Sequence, residues 1–205
     1  MVCPVCRSRW RVVRPPWCDR CGQPEPHFGP CRLCREWPDN LVRVRSAVWL
    51  EPGARRAVHS LKYDGLPRVA ADIAEAMVRV LEMPSAAAVL VPVPLGAKRL
   101  RARGYNQSLW LAEALGGKWR RPVRPELLAR VRDTETQTAL TPGERLANVA
   151  GAFTARMVVP SPIILVDDVF TTGATLAAAA VALAAAGVTQ VSAVTFGRAT
   201  IPDFT

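Results

Sequence analysis

The sequence has no cysteine after residue 34, only two histidines and only three lysines, and it has no charged residue between Asp168 and Arg198. In the part that follows the cysteines, no histidine or serine is arranged as in a nucleophilic triad, which argues against hydrolases of that class. The N-terminus lacks the apolar stretch of a signal peptide, so we expect a cytoplasmic protein with reduced cysteines. Internal repeats and low-complexity linkers are also absent, which indicates that the parts of the chain pack together.

The uncharged run between residues 168 and 198 is the segment that most resembles a membrane span. It is mostly alanine, and polar or glycine residues interrupt it at Thr171, Thr172, Gly173, Gly187 and Gln190. A membrane helix needs a continuous, strongly apolar stretch. We therefore expect a buried helix followed by a buried strand, and no membrane insertion.

The composition indicates a folded, basic protein. Of the 205 residues, 50% are hydrophobic, which is enough for a packed core and excludes wholesale disorder. The 27 basic residues, 24 of them arginine, outnumber the 17 acidic ones and give a net charge of +10. This charge favours phosphate-bearing partners, but it does not distinguish nucleotides or sugar phosphates from nucleic acid.

Six cysteines form three pairs, each with two residues between its members: Cys3/Cys6, Cys18/Cys21 and Cys31/Cys34. This spacing suits tetrahedral zinc, which takes four thiolates from two tight turns, better than it suits disulfides. The second and third pairs are the favoured set, because Gly22 follows the second pair as in a zinc knuckle. The first and second pairs are an alternative, and His27 could replace one ligand. Residues 1–45 are predicted to be a zinc-binding domain that needs its metal to fold.

From residue 46 onward, apolar strand patterns alternate with helical ones, which predicts a second domain over residues 46–205. Alternation of this kind is typical of an α/β fold with a parallel sheet flanked by helices. The predicted strands are residues 88–91, 163–166 and 191–194, with a strand end at 48–50. The predicted helices are residues 54–61, 69–81, 107–115, where Gly116 and Gly117 end the helix, and 175–186, with Gly187 at its C-terminal end.

The most informative segment is residues 163–175, in which an apolar strand leads to Asp167 and Asp168 and then to a small hydroxylated loop before a helix. Ligands of open α/β sheets bind at the carboxyl ends of strands. Backbone N–H groups and the helix N-terminus there form an anion site, and a glycine allows the backbone to approach a phosphate. Two carboxylates beside such a site are compatible with a ligand that has hydroxyl groups next to its phosphate. The candidate phosphate-binding residues are Thr171, Thr172, Gly173, Ala174 and Thr175.

This segment resembles, position by position, the 5-phosphoribosyl 1-pyrophosphate (PRPP) motif of type I phosphoribosyltransferases. The resemblance implies that Asp167 and Asp168 hold the ribose 2′ and 3′ hydroxyls as catalytic residues. It also implies that residues 171–175 hold the 5′-phosphate and that Mg²⁺ accompanies PRPP.

Further motifs are similar to those of the ComF family of competence-related phosphoribosyltransferase-like proteins. They are residues 61–63 (LKY), 91–95 (VPVPL), 99–108 (RLRARGYNQS), 134–140 (TETQTAL) and 148–153 (NVAGAF), together with Arg145. The resemblance covers nearly the whole chain and implies a type I phosphoribosyltransferase fold with an N-terminal zinc finger. Many members have four cysteine pairs, and the first pair is absent here.

Residues 98–132 contain ten basic residues and two acidic ones, a pattern that is also typical of a solvated surface. Within this segment, Arg99 and Arg103 flank a predicted turn and are candidates to bind pyrophosphate, because guanidinium groups pair well with phosphate oxygens. Lys62 either extends to solvent at a helix end or reaches the pyrophosphate, as its family position implies. Second-tier candidates are Thr138 and Arg145. His59, beside Leu61 on a predicted helix, is expected to be structural.

Two functions follow from these patterns and resemblances. The first is Mg²⁺-dependent PRPP binding, with phosphoribosyl transfer to an unidentified acceptor, by a protein with a role in natural competence and DNA uptake. The second is a non-catalytic module that binds PRPP and single-stranded DNA during transformation, in contact with the DNA-uptake machinery.

Overall fold

A computed structural model describes residues 2–24, 31–133, 149–155 and 162–200. The strands are β1 (Leu41–Trp49), β2 (Val89–Pro92), β3 (Leu128–Arg130), β4 (Phe153–Ala155), β5 (Ile163–Phe170) and β6 (Val191–Arg198). The helices are α1 (Pro4–Ser8), α2 (Pro52–Tyr63), α3 (Pro67–Val80), α4 (Ala97–Arg103), α5 (Gln107–Trp119) and α6 (Ala174–Ala185).

Four strands form the central sheet in the order β1-β6-β5-β2, and every neighbouring pair is parallel. At the middle of the sheet, Val166 of β5 lies between Val194 of β6 and Pro92 of β2. Parallel neighbours need crossover connections, and the helices provide them. The short strands β3 and β4 form a separate antiparallel pair. The predicted α/β fold with a parallel sheet is confirmed.

Helices cover both faces of the sheet. Residues of α2, α3 and α5, such as Leu61, Ile73 and Leu111, form one apolar cluster with the sheet. On the opposite face, α6 and the cysteine-rich segment form a second cluster that contains Leu183 and Trp37. The cysteine-rich segment is therefore part of the sheet's own core packing.

Strand β1 begins earlier than predicted. It starts at Leu41 and runs across residue 45, where the boundary between the two predicted domains was placed. Leu41 and Val44 are completely buried, and Leu41 is in register with Val191 of β6. Residues 42–45 (VRVR) alternate apolar and basic residues, which is a strand pattern. Pairing with a strand 150 residues away places this segment in the sheet.

Helix α5 does not end at Gly116 and Gly117, as predicted, but continues to Trp119. Trp119 is buried in the core, and Arg120 ends the helix in the left-handed conformation, with a φ of 54°. A Cβ on Gly116 would lie 2.7 Å from Val123 Cγ2 and 2.9 Å from the Arg121 carbonyl oxygen. This glycine therefore allows close packing against the following segment rather than ending the helix.

Arg99 and Arg103 belong to a helix, α4, rather than flanking a turn as predicted. None of the seven residues of α4 is buried, so an apolar pattern that would indicate a helix is missing. Gly104, with a φ of 81°, ends α4, and Asn106 starts α5 by accepting a hydrogen bond from the Ser108 N–H (3.0 Å). Within the described residues, no helix has both the length and the apolar character needed to cross a membrane.

Candidate functional site

Asp167 and Asp168 lie within β5, at its carboxyl end. Strand pairing continues past them, because Val169 and Phe170 are still in register with β6. Successive side chains of a strand point to opposite sides, so the two carboxylates have different neighbours. Asp168 is 3% exposed, and Asp167 is half-buried.

Asp167 is held by neutral donors. Its Oδ1 accepts hydrogen bonds from the Ser108 hydroxyl (2.8 Å) and from the backbone N–H of Asp168 (2.9 Å). Burial and the charge of Asp168 raise the pKa of Asp167 to about 7, although the hydrogen bond from Ser108 opposes this. The carboxyl of Asp167 therefore holds a proton over much of the range below neutral pH.

Asp168 is held by a cation and an amide. The Lys62 ammonium nitrogen lies 2.6 Å from Asp168 Oδ2, and the Gln107 amide donates to Asp168 Oδ1 (3.3 Å). Burial alone would raise the pKa of Asp168, but the charge and hydrogen bond of Lys62 outweigh it and lower that pKa. Burial likewise acts to lower the pKa of Lys62, but Asp168 outweighs it and raises that pKa. The pair is thus ionised as an internal salt bridge.

Arg103 extends this network. One of its guanidinium nitrogens donates to the Gln107 amide oxygen, and the guanidinium lies 5.2 Å from the centre of the Tyr63 ring. Gln107 thus connects Arg103 to Asp168, and the positive charge of Arg103 acts on Lys62. The structure therefore brings the predicted residues Lys62 and Arg103 together with Asp168.

Arg99 lies near a different basic residue, Arg130. Burial lowers the pKa of Arg130, the charge of Arg99 lowers it further, and the charges of Asp133 and Asp167 raise it. Arg130 also lies over the Phe153 ring at 5.2 Å. In the sequence Arg130 stands out only as part of a basic run, but in the structure it interacts electrostatically with Asp167, which makes it a candidate site residue.

The predicted anion-binding segment, residues 171–175, which we call the anion loop, follows β5 and runs into the start of α6. Gly173 has a φ of 80° and precedes Ala174, the first residue of the helix. The Thr172 hydroxyl accepts a hydrogen bond from the Ala174 N–H (3.4 Å), whereas Thr171 and Thr175 are half-buried. The loop therefore lies at a helix N-terminus next to the two carboxylates, which is the arrangement that the sequence predicts for an anion site.

The connection between α4 and α5 is fixed to two other elements. The Tyr105 hydroxyl donates to the Leu61 carbonyl (3.0 Å) and accepts from the Gly65 N–H (3.1 Å), and its ring stacks on Trp110 at 3.9 Å. The Asn106 amide donates to the Val93 carbonyl (3.0 Å). These contacts fix the position of the start of α5, from which Gln107 and Ser108 reach the carboxylates.

The second and third cysteine pairs form a compact cluster, which we call the cysteine knuckle: Cys18, Cys21, Cys31 and Cys34. Their sulfur atoms all lie within 4.8 Å of one another, and the Cys18–Cys34 and Cys21–Cys31 sulfur distances are 3.7 and 3.6 Å. Tetrahedral zinc with Zn–S bonds of about 2.3 Å requires sulfur separations of about 3.8 Å. The cluster therefore has the size and donor set of a zinc site with four cysteine ligands.

Burial makes thiolates in the knuckle costly unless a cation accompanies them. Burial and the neighbouring sulfurs raise the pKa of Cys34 to about 12, and the same causes raise that of Cys21. A bound divalent cation removes this penalty by stabilising the thiolates. The Arg20 guanidinium donates to the carbonyl oxygens of Cys34, Trp37, Pro38 and Leu41, so it joins the third pair to β1.

The first cysteine pair is separate from the knuckle. Cys3 and Cys6 are exposed at α1, where the Cys6 N–H donates to the Cys3 sulfur (3.3 Å). Three other candidates, His27, Thr138 and Arg145, lie outside the described residues. The ring of His59 lies 4.7 Å from that of Tyr63, and the structural role expected of His59 stays a prediction.

No protein-family model matches the chain. The DNA utilization protein YhgH of Salmonella typhimurium is 32% identical over 188 residues, which cover 86% of this chain and 81% of that protein. The chain belongs to the ComF family. The competence protein ComFC of Bacillus subtilis is 31% identical over 186 residues, covering 85% of this chain and 74% of that protein.

The competence protein F of Haemophilus influenzae is 36% identical over a shorter stretch of 100 residues, which covers 47% of this chain and 42% of that protein. The family resemblance seen in the motifs is therefore confirmed by similarity over most of the chain. The roles of individual site residues stay predictions that rest on the geometry above.

Proposed function

We propose that this ComF-family chain binds PRPP together with Mg²⁺ at the carboxyl end of β5, and that it acts in the handling of DNA during competence. The observation that supports this most is the adjacent pair of carboxylates, half-buried Asp167 and buried Asp168, just before the loop at residues 171–175. A pair of carboxylates suits hydroxyl donors, and the loop suits a phosphate.

The two acids are suited to the two hydroxyls of a ribose in different ways. Asp168 is an ionised acceptor, whereas Asp167, with its raised pKa, exchanges a proton near neutral pH. The Lys62 ammonium lies 2.6 Å from Asp168 Oδ2, and a ribose hydroxyl bound to that carboxylate would replace it there. The displaced ammonium group, together with Arg103, would then be available to the pyrophosphate.

Mg²⁺ is compatible with this donor set. It prefers oxygen ligands and is usually bound by one or two carboxylates together with the phosphates of a substrate. Asp167 and Asp168 supply the carboxylates, and PRPP supplies the phosphates. When bound, Mg²⁺ neutralises the charge of the pyrophosphate and stabilises it as a leaving group.

In the catalytic form of the proposal, the chain orients the ribose and stabilises the departing pyrophosphate while an acceptor attacks the C1′ carbon. Asp167, Asp168 and the loop fix the sugar, and Arg99 and Arg103 stabilise the leaving group. The alternative is a non-catalytic module in which the same residues hold PRPP without transfer. The acceptor is unidentified in both forms.

A DNA-related role is supported by the names of the relatives, a DNA utilization protein and two competence proteins. The net charge of +10 is suited to a polyanion. We further propose that the cysteine knuckle holds a structural zinc ion. We place the protein in a reducing cytoplasm, where cysteines stay reduced and available to zinc.

The proposal is tested by thermal unfolding with Mg²⁺–PRPP. A ligand at about 100 times its Kd adds about 2.7 kcal/mol of stability, which raises the Tm of a chain of this size by about 5–10 °C. The double variant Asp167→Asn/Asp168→Asn should lose this shift. The control Asp39→Asn/Glu113→Gln removes two exposed acids and should retain it.

Single-stranded DNA binding is measured on the same variants at low and high salt. Both double variants should bind DNA, and the affinity should fall steeply with salt because phosphate contacts release counterions. Failure of the wild type to respond to PRPP would contradict the PRPP proposal. A salt-independent DNA affinity, or none, would contradict the DNA-binding alternative.

A further inference from the structure

The cysteine knuckle and the anion loop are joined by one tryptophan. Trp37 follows Cys34 by three residues, and its backbone N–H donates to the Cys34 carbonyl (3.2 Å). Its side chain is buried. A Cβ built on Gly173 would lie 2.3 Å from Cζ2 and 3.0 Å from Cε2 of this indole. Trp37 therefore forms the wall against which the anion loop packs.

A second set of contacts joins the end of β5 to the knuckle. Trp37 packs edge-on against Phe170, with ring centres 6.0 Å apart at 68°. The Arg198 guanidinium lies 4.4 Å from the centre of the Phe170 ring and donates to the Cys21 carbonyl (2.9 Å) and to Gln23 Oε1 (2.7 Å). Arg198 is only 1% exposed, so this connection is fully buried.

Both connections start from backbone that the metal would order. Trp37 is held by the carbonyl of one predicted ligand, Cys34, and Arg198 by the carbonyl of another, Cys21. The cysteine-rich segment packs on the sheet, and a metal that joined its cysteines would order it further. Without metal, Trp37 would lose its fixed position, and the loop would lose its wall. Anion binding would then have to supply the free energy of ordering that the metal supplies otherwise.

We infer that Trp37 is a positioning residue through which metal binding at the cysteine knuckle and anion binding at residues 171–175 stabilise each other. This rests on the proposed function, because it requires a sugar phosphate to bind at the loop. Coupling between two sites is reciprocal, so PRPP must strengthen metal retention by the same factor as the metal strengthens PRPP binding.

The test measures zinc retention directly. Zinc-loaded protein is titrated with a chelator selective for zinc over magnesium, and zinc release is followed with a colorimetric indicator, with and without saturating Mg²⁺–PRPP. In the wild type, PRPP should raise the chelator concentration at half-release by at least about fivefold, which is the lower end of ordinary coupling. Calorimetry on the zinc-loaded protein measures PRPP binding separately.

Trp37→Ala should retain one zinc ion per chain but lose the PRPP-dependent shift, and Trp37→Phe should restore part of it through ring packing on Phe170. The matched control is Trp17→Ala, which removes a tryptophan of the same segment that packs on Arg45 instead, and it should retain the full shift. If Trp37→Ala fails to hold zinc, the PRPP-dependent shift of Trp37→Phe is compared with that of the wild type instead, and a smaller shift in Trp37→Phe supports the inference.

The outcomes separate this inference from the function beneath it. PRPP that binds the wild type without changing zinc retention would overturn the inference and leave the proposed function intact. A full PRPP-dependent shift in every zinc-loaded Trp37 variant would also overturn the inference and leave the proposed function intact. If calorimetry shows no PRPP binding to zinc-loaded wild type, both the proposed function and the inference are wrong.

Discussion

Asp167 and Asp168 are adjacent in β5, yet replacing each by asparagine should change stability in opposite directions. Asp167 has a pKa raised to about 7, whereas an unfolded aspartate has a pKa of about 3.9. Between these values the folded state holds a proton that the unfolded state releases, so stability falls as the pH rises from about 4 to about 7. The pKa difference of about 3, at about 1.4 kcal/mol for each pH unit, limits the resulting loss of unfolding free energy to about 4 kcal/mol.

Asp167→Asn removes this cost because an amide has no proton to lose. Its oxygen can still accept from the Ser108 hydroxyl and from the backbone N–H of residue 168. The variant should therefore be more stable than the wild type at about pH 8, by up to about 4 kcal/mol, with the difference vanishing towards about pH 4.

Asp168→Asn should destabilise the protein. It leaves the ammonium of Lys62, whose side chain is 26% exposed, without its carboxylate partner. Removing one partner of a buried pair costs about 3–5 kcal/mol, and partial solvation of Lys62 reduces the expected loss to about 2–3 kcal/mol. Because the pKa of Asp168 is lowered, the stability that it contributes is present above the unfolded pKa and disappears on acidification below it.

Urea unfolding at about pH 5 and about pH 8 measures both effects, since the free energy of unfolding is extrapolated from the midpoint and slope. The exposed-acid variant Asp39→Asn is the control and should stay within about 0.5 kcal/mol of the wild type. If Asp167→Asn and Asp168→Asn change stability with the same sign at about pH 8, the assignment of a protonated and an ionised carboxyl to the two positions is wrong.

Two further predictions concern helix α5 and the cysteines. Gly116→Ala should lower the free energy of unfolding by about 1–3 kcal/mol, because its Cβ would lie 2.7 Å from Val123. Gly117→Ala has open space around it and should raise the free energy of unfolding by about 0.5–1 kcal/mol. Chemical unfolding of both variants measures the difference, and equal effects would contradict the prediction. Serine at Cys18, Cys21, Cys31 or Cys34 should abolish stoichiometric zinc measured by atomic emission, whereas serine at Cys3 or Cys6 should leave one zinc ion per chain. Zinc loss in a Cys3 variant would refute the ligand set.

The fold was predictable wherever local pattern and tertiary packing agree. The apolar runs of β2 and β5 and the periodic helices α2 and α3 fall close to their predicted positions. The errors arise where packing overrides local preference. Two glycines normally weaken a helix, but the buried Trp119 extends α5 beyond them. Helix α4 has no buried residue, so it lacks the periodicity from which helices are predicted.

In the candidate site, too, the residues that are contiguous in the sequence were predictable, whereas their distant partners were not. Asp167, Asp168 and the loop at residues 171–175 are contiguous, so their spacing alone identifies them. Their partners are distant: Ser108 lies 59 residues before Asp167, and Gln107 lies 61 residues before Asp168. Both residues belong to the motif at residues 99–108, but only the packing of α5 on the sheet shows which carboxylate each contacts.

Lys62 links the stability of this site to its proposed ligand. Its ammonium compensates the burial of Asp168, so the carboxylate that the proposed PRPP site would use already has a partner. A ribose hydroxyl that displaces Lys62 leaves a partly buried cation, which is costly unless another anion accepts it. The pyrophosphate of PRPP is such an anion, whereas a ribose monophosphate offers none at that position. The ion pair that stabilises β5 would therefore also make binding of the sugar depend on the group that leaves it.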